Sequence, residues 1–263
     1  MDHGFHLVYF PVRARGEPIL LLLVDSGVPF NLEEIPVVTW ERWKKARQIT
    51  SDKFPYSAVP VLRVRHEVVQ NGQQEFVLAE TSTILTYLNE ALAPAGTTLE
   101  KDLPLEVRVR IQMVKEAALF AMVRILGMSG NSEWLAPPQR TTIRGIVSRF
   151  LKDTENALSE LERNIRVVPL QTDRLTGMAA AVTTTISLVT QIFPSIRGML
   201  GNDGEYKLCG KLWTAVLERP RIAGYWKENN IEAKPWTITK YGTAEWIARA
   251  AASGFDQIER HKL

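Results

Sequence analysis

The sequence predicts an α/β unit followed by an all-helical one, and three observations carry that prediction. Over roughly the first ninety residues, short β-branched runs alternate with helix-period stretches in the order βαβ, α, ββα. The stretch 93–104, with Pro94, Gly96 and Pro104, interrupts the pattern and reads as a linker. Beyond it every periodic segment is helical, and Gly or Pro punctuates the gaps.

The elements follow in order. Residues 5–10, with Leu7-Val8-Tyr9-Phe10, form a strand. Arg15-Gly16-Glu17-Pro18 then turns into an apolar run, a helix over 15–25 stopped by Ser26-Gly27. Residues 30–36 alternate as a second strand, and 40–49 form a short helix. Residues 59–64 are β-branched and follow a loop holding Pro55 and Pro60. Residues 75–78 are their hairpin partner across Asn71-Gly72. A helix over 81–92 places apolar side chains at 84, 85, 88 and 92. Together these make a small mixed sheet, a parallel pair followed by an antiparallel hairpin, with helices on its faces. The domains are expected at 1–93 and 104–263, the second with helices at 105–126, 139–165, 176–192, 205–218 and 220–229. The tail from 232 carries Trp236, Tyr241, Trp246 and Phe255, and is expected to pack back on those helices.

Composition narrows the function. With 263 residues, 45% apolar and 23% charged, the chain has the makeup of a globular protein with real cores. The net charge of +3 comes from basic residues interspersed with acidic ones, with no stripe for a phosphate backbone, so no nucleic acid is expected. The single cysteine, Cys209, excludes a disulfide scaffold and a Cys-rich zinc site, and fits a reducing compartment and a core position. His3, His6, His66 and His261 have no ligand spacing, so no metal is expected. No apolar stretch approaches the ~20 residues of a membrane helix, and no secretory leader is seen. A soluble, cytoplasmic protein is expected, although His261-Lys262-Leu263 resembles a peroxisomal address.

Tyr9 ends a strand beside a helix start, where its phenol is placed to hold a thiolate on a bound ligand; a core tyrosine is the plainer alternative. Pro60 between two valines suggests a cis bond that leaves the Val59 backbone facing a cleft, or simply a trans proline opening a strand. Thr81 fits the N-cap of the third helix, with Glu80 as a nearby anion. Trp40 and Lys44 lie four apart on one helical face, as ligands for a carboxylate or as packing and solvated residues.

Tyr9-Phe10, Arg15 to Pro18, Trp40 with Lys44, Val59-Pro60-Val61 and Glu80-Thr81 resemble, in order and spacing, a glutathione transferase with a catalytic tyrosine, most similar to the sigma type. The resemblance implies a thioredoxin-like first domain, an all-helical second one, and a homodimer. It implies glutathione as co-substrate, no metal, and conjugation of the glutathione thiolate to a hydrophobic small-molecule electrophile. A glutathione-dependent isomerase of a biosynthetic pathway and a non-catalytic binding module stay as alternatives. Tyr9 and Arg15 are then catalytic, and Trp40, Lys44, Val59, Pro60, Glu80 and Thr81 complete the glutathione site. The electrophile pocket is expected from Phe10, Met113, Leu119, Met122 and Trp236. The family's cross-dimer aspartate falls near Ile111 or Gln112 here, and the acid of its capping box is missing after Thr176.

Overall fold

The structure, a computed structural model, describes residues 4–68, 72–93, 100–129, 137–164 and 174–236. Strand β1 (Gly4–Tyr9) pairs in parallel with β2 (Phe30–Glu34). On its other edge β1 pairs antiparallel with β3 (Val61–Val68), which pairs in turn with β4 (Gly72–Ala79), so the sheet order is β2-β1-β3-β4. Being second in the sheet and covered on both faces, β1 is apolar without alternation: Leu7 and Val8 are both buried. The hairpin strands run longer than the β-branched stretches alone suggest. Gly72 pairs with Val68 and so opens β4 instead of sitting in the turn; Asn71 lies outside the described residues.

Helix α1 (Glu17–Ser26) has Pro18 in its first turn and ends where Gly27 takes φ 68°. Helix α2 (Val37–Lys45) begins three residues ahead of the expected start, directly after Pro36, and stops short of 49. Helix α3 (Thr81–Ala91) closes the βαβαββα order.

Among the described residues five further α-helices follow: α4 (Leu105–Ser129), α5 (Pro137–Asn164), α6 (Gly177–Ile192), α7 (Lys207–Leu217) and α8 (Pro220–Glu228). Helix α6 is the axis of this half. It packs on α4 and α7, and on α1 and α3 of the sheet-bearing half, and residues Gly177 to Thr190 are all buried. Its start joins the two halves. Thr176 caps it by accepting the Ala179 N–H at 3.2 Å, and in place of the missing acid Asn89 of α3 accepts the Gly177 N–H at 3.2 Å. Asp25 at the end of α1 accepts the Leu175 N–H at 2.9 Å. Among the described residues no helix is long and apolar enough to cross a membrane.

Candidate active site

The turn after β1 builds the site. Tyr9 is 4% exposed, and its ring lies under Gly16. A Cβ on Gly16 would stand 2.8 Å from Tyr9 Cε1 and 2.9 Å from Cγ, so only glycine allows this approach. The Tyr9 hydroxyl oxygen accepts the Arg15 backbone N–H at 3.1 Å, which leaves the hydroxyl proton for another acceptor. Burial pushes the phenol above its ordinary pKa of 10.0. The Arg15 charge and the Arg15 and Gly16 amides pull it partly back, and Tyr9 stays a neutral donor at physiological pH.

Arg15 makes three connections from one residue. Its amide holds Tyr9, its carbonyl accepts the Thr81 hydroxyl at 3.2 Å, and its Nη2 donates to the Val59 carbonyl at 3.3 Å. The Val59–Pro60 bond is cis. The Val59 carbonyl, expected to face a cleft, is thus already bonded to Arg15. Thr81 is not the N-cap: it is the first helical residue, and its buried hydroxyl turns to Arg15 and away from the amides of its own helix. Glu80 takes the cap position with φ 66° and ψ 121° and makes no side-chain cap bond. A non-glycine residue held at positive φ costs of the order of 1–3 kcal/mol, and such residues cluster at functional sites. Tyr9, Arg15, Val59, Pro60, Glu80 and Thr81 are therefore brought together from four separate segments.

No protein-family model matches the chain. Among curated proteins, glutathione S-transferase P 1 of Xenopus laevis is 33% identical over 98 residues, 37% of this chain and 41% of that protein. Glutathione S-transferase 4 of Caenorhabditis elegans is 28% identical over 99 residues, 38% of this chain and 40% of that protein. The chain thus aligns with about two fifths of the length of these relatives. The fold extends further: a sigma class transferase of Fasciola hepatica superposes with a TM-score of 0.56 at 19% identity, over 87% of this chain and 97% of that one. The chain is similar to glutathione S-transferases over about two fifths of its length and shares the fold of their solved structures.

Two residues suggested by that family sit differently here. Trp40 is buried in an aromatic cluster, edge-on to Phe10 at 5.8 Å and to Phe54 at 5.2 Å between ring centres. Lys44, one turn on, is exposed. Trp40 therefore packs the floor under Phe10, which itself lies 5.8 Å from the Tyr9 ring.

The five residues expected to line an electrophile pocket do not form one group here. Phe10 is half-buried against Tyr9 and Trp40. Met113 is 65% exposed and opens on a groove of about 610 Å³ between α4 and α5, lined also by Ala117, Phe120, Arg124, Ile146 and Phe150. Leu119 and Met122 are buried in the core. At 3.6 residues per turn, Met122 lies about 180° around the helix from Met113, so one cavity cannot collect both. Trp236 is 1% exposed and stacks on Arg13, 3.8 Å from its guanidinium.

The remaining chemistry-bearing residues are structural. Cys209 is buried beside Leu151, and burial pushes its thiol far up. Gln112, near the family's cross-dimer position, donates to Glu116 at 2.7 Å, and Ser82 bonds the same carboxylate. Tyr56 lies 82% exposed on its loop. What sequence reasoning missed is Arg13, whose guanidinium forks onto Glu17 with a 2.8 Å Nη2–Oε1 bond and a second bond through Nε. The four-residue spacing of that pair at a helix start was the available signal.

Proposed function

We propose that the chain is a glutathione transferase, in which the Tyr9 hydroxyl donates to the sulfur of bound glutathione and steadies its thiolate. The observation that supports it most is the Tyr9–Arg15 arrangement: the phenol oxygen is filled by an amide, so its proton is directed to another acceptor. A free thiol has a pKa of about 8.5 and is mostly protonated at neutral pH. A hydrogen bond and a nearby guanidinium lowering it by about 2 units supply about 2.7 kcal/mol and make the thiolate the main form. The thiolate then forms a carbon–sulfur bond to an apolar electrophile, either displacing a leaving group into solvent or adding to an activated alkene whose resulting carbanion takes a proton from water.

The rest of the site holds the tripeptide. The Val59 backbone pairs with its cysteinyl residue; a carbonyl has two lone pairs, so the Arg15 bond does not exclude a second donor. Glu80 meets the γ-glutamyl ammonium, and the uncapped amides of α3 meet its carboxylate. Lys44, exposed on α2, meets the glycyl carboxylate, with Trp40 supporting from beneath. The same reading divides the chain at 93–104, places it in the cytosol, and makes it a homodimer. The exposed row Leu105, Val109, Met113, Phe120 and Val123 on α4 is the apolar surface a second copy covers.

The test is Tyr9→Phe, assayed with a chloronitrobenzene electrophile. Turnover is expected to fall ten- to a hundredfold, roughly the removal of one such hydrogen bond, with glutathione affinity retained within a few-fold. Unchanged turnover removes the assigned role of Tyr9. Measuring glutathione consumption against product separates conjugation from isomerisation, which regenerates the thiol.

A further inference from the structure

Arg13 is 3% exposed and held on every side. Its guanidinium forks onto Glu17 and lies between two indoles, 3.8 Å from the centre of Trp236 and 4.9 Å from that of Trp226. Its N–H donates to the Pro235 carbonyl at 2.8 Å, and its own carbonyl accepts the Glu17 N–H at 3.0 Å. Residues 231–236 form the strap that makes these contacts. The strap is tied in turn to both halves: Lys234 pairs with Glu34 of β2, and the Trp236 indole N–H donates to Gln191 of α6. Arg13 and Glu17 thereby close a turn whose middle residue is Arg15, the residue that bonds Tyr9, Val59 and Thr81.

Building on the function proposed above, we infer that Trp236 and Arg13 are positioning residues: the strap clamps the 13–17 turn so that the Arg15 amide fills the Tyr9 oxygen and aims its proton at the bound sulfur. Trp236 is then a support for the thiolate site and not part of an electrophile pocket. A planar guanidinium between aromatic faces is a rigid and desolvated contact, suited to fixing a turn that carries a donor. Neither residue touches the reacting atoms. Their effect is read through the ionisation of the glutathione thiol.

The experiment titrates the ultraviolet absorbance of the thiolate in the full-length protein saturated with reduced glutathione, together with the pH profile of conjugation. Trp236→Leu is expected to raise the bound thiol pKa by about half to one unit, cutting turnover at neutral pH about 1.5- to 3-fold. The loss should disappear at alkaline pH, where the thiol ionises unaided. Trp236→Phe, which keeps an aromatic face, should restore most of the shift. Arg13→Lys, which keeps the charge without the planar fork, should move the titration the same way, and it decides the matter if Trp236→Leu does not fold. An unmoved titration in a folded Trp236→Leu or Arg13→Lys protein overturns the inference. Tyr9→Phe is run alongside. If it shifts the thiol and the strap variants do not, only the strap is wrong; if it too leaves the thiol unmoved, the thiolate reading falls and the strap role with it.

Discussion

Gly16→Ala tests the packing that aims the phenol. The new methyl would sit 2.8 and 2.9 Å from Tyr9 Cε1 and Cγ, and closer still to Cδ1. Carbon atoms prefer separations of about 3.5–4.0 Å, so the overlap approaches 1 Å across one edge of the ring. The ring cannot yield by rotating in place, because it is buried and packed against Phe10. Either it or the turn must shift, and either movement stretches the 3.1 Å bond from the Arg15 amide. Overpacking of this kind costs about 1–3 kcal/mol. For a chain of this size that lowers the melting temperature by roughly 2–4 °C per kcal/mol. Chemical denaturation gives the stability, and thiolate titration gives the site. Repeating the substitution in a Tyr9→Ala background removes the ring, and the cost should shrink by about 0.5–3 kcal/mol. A Gly16→Ala protein with unaltered stability and titration, or an equal penalty without the ring, refutes the reasoning.

Asn89→Ala removes the acceptor of the Gly177 N–H at the buried start of α6 together with the donor to Glu100, and should cost about 1–3 kcal/mol in a denaturant melt. At alkaline pH the folded state holds the Tyr9 proton after the unfolded chain has released its own at about 10, since burial raises the folded value. Stability therefore falls as pH rises from 10 through the folded pKa. Tyr206, pushed up to about 12 by burial and Glu205, adds a slope of the same sign. Tyr9→Phe should lose its share of that slope in melts above pH 10, and a slope identical to wild type counts against a buried neutral phenol.

The elements were legible because local chemistry fixes them. Gly27 at φ 68° ends α1 as the Ser26-Gly27 pair suggests, and the apolar spacing of 84, 85 and 88 faces α3 inward. Tyr9, Val59-Pro60 and Glu80-Thr81 could be placed at element ends from the sequence, and the structure sets them near one another. Their partners were not legible. Thr81 looks like a cap from its neighbours, but its hydroxyl is claimed by Arg15, 66 positions earlier, a contact that only the crossing of α3 and the first turn creates. Trp40 and Lys44 share a helical face by count, yet Phe10 and Phe54 bury the indole and leave the ammonium outside. The structure separates Met113 from Leu119 and Met122 for one reason. Helix α4 is apolar on an outer row as well as on its core face, and apolar identity alone does not tell them apart.

In the proposed reaction, phenol and guanidinium divide the work. Burial is the largest influence on Tyr9 and favours its neutral form, so the hydroxyl is kept as a donor and not converted into a competing anion. Were Arg15 the dominant influence, the phenol would be drawn toward ionisation and lose the proton it has to give. The side chain of Arg15 is instead spent on the Val59 carbonyl, where a peptide cysteine pairs in the proposed complex. In that proposed complex its positive charge acts on the sulfur through space, while its backbone N–H bonds the Tyr9 oxygen. A side-chain substitution at Arg15 can remove only the first of these, and the second answers to the clamp on the turn, which is why the strap variants and Tyr9→Phe probe the same hydrogen bond from opposite ends.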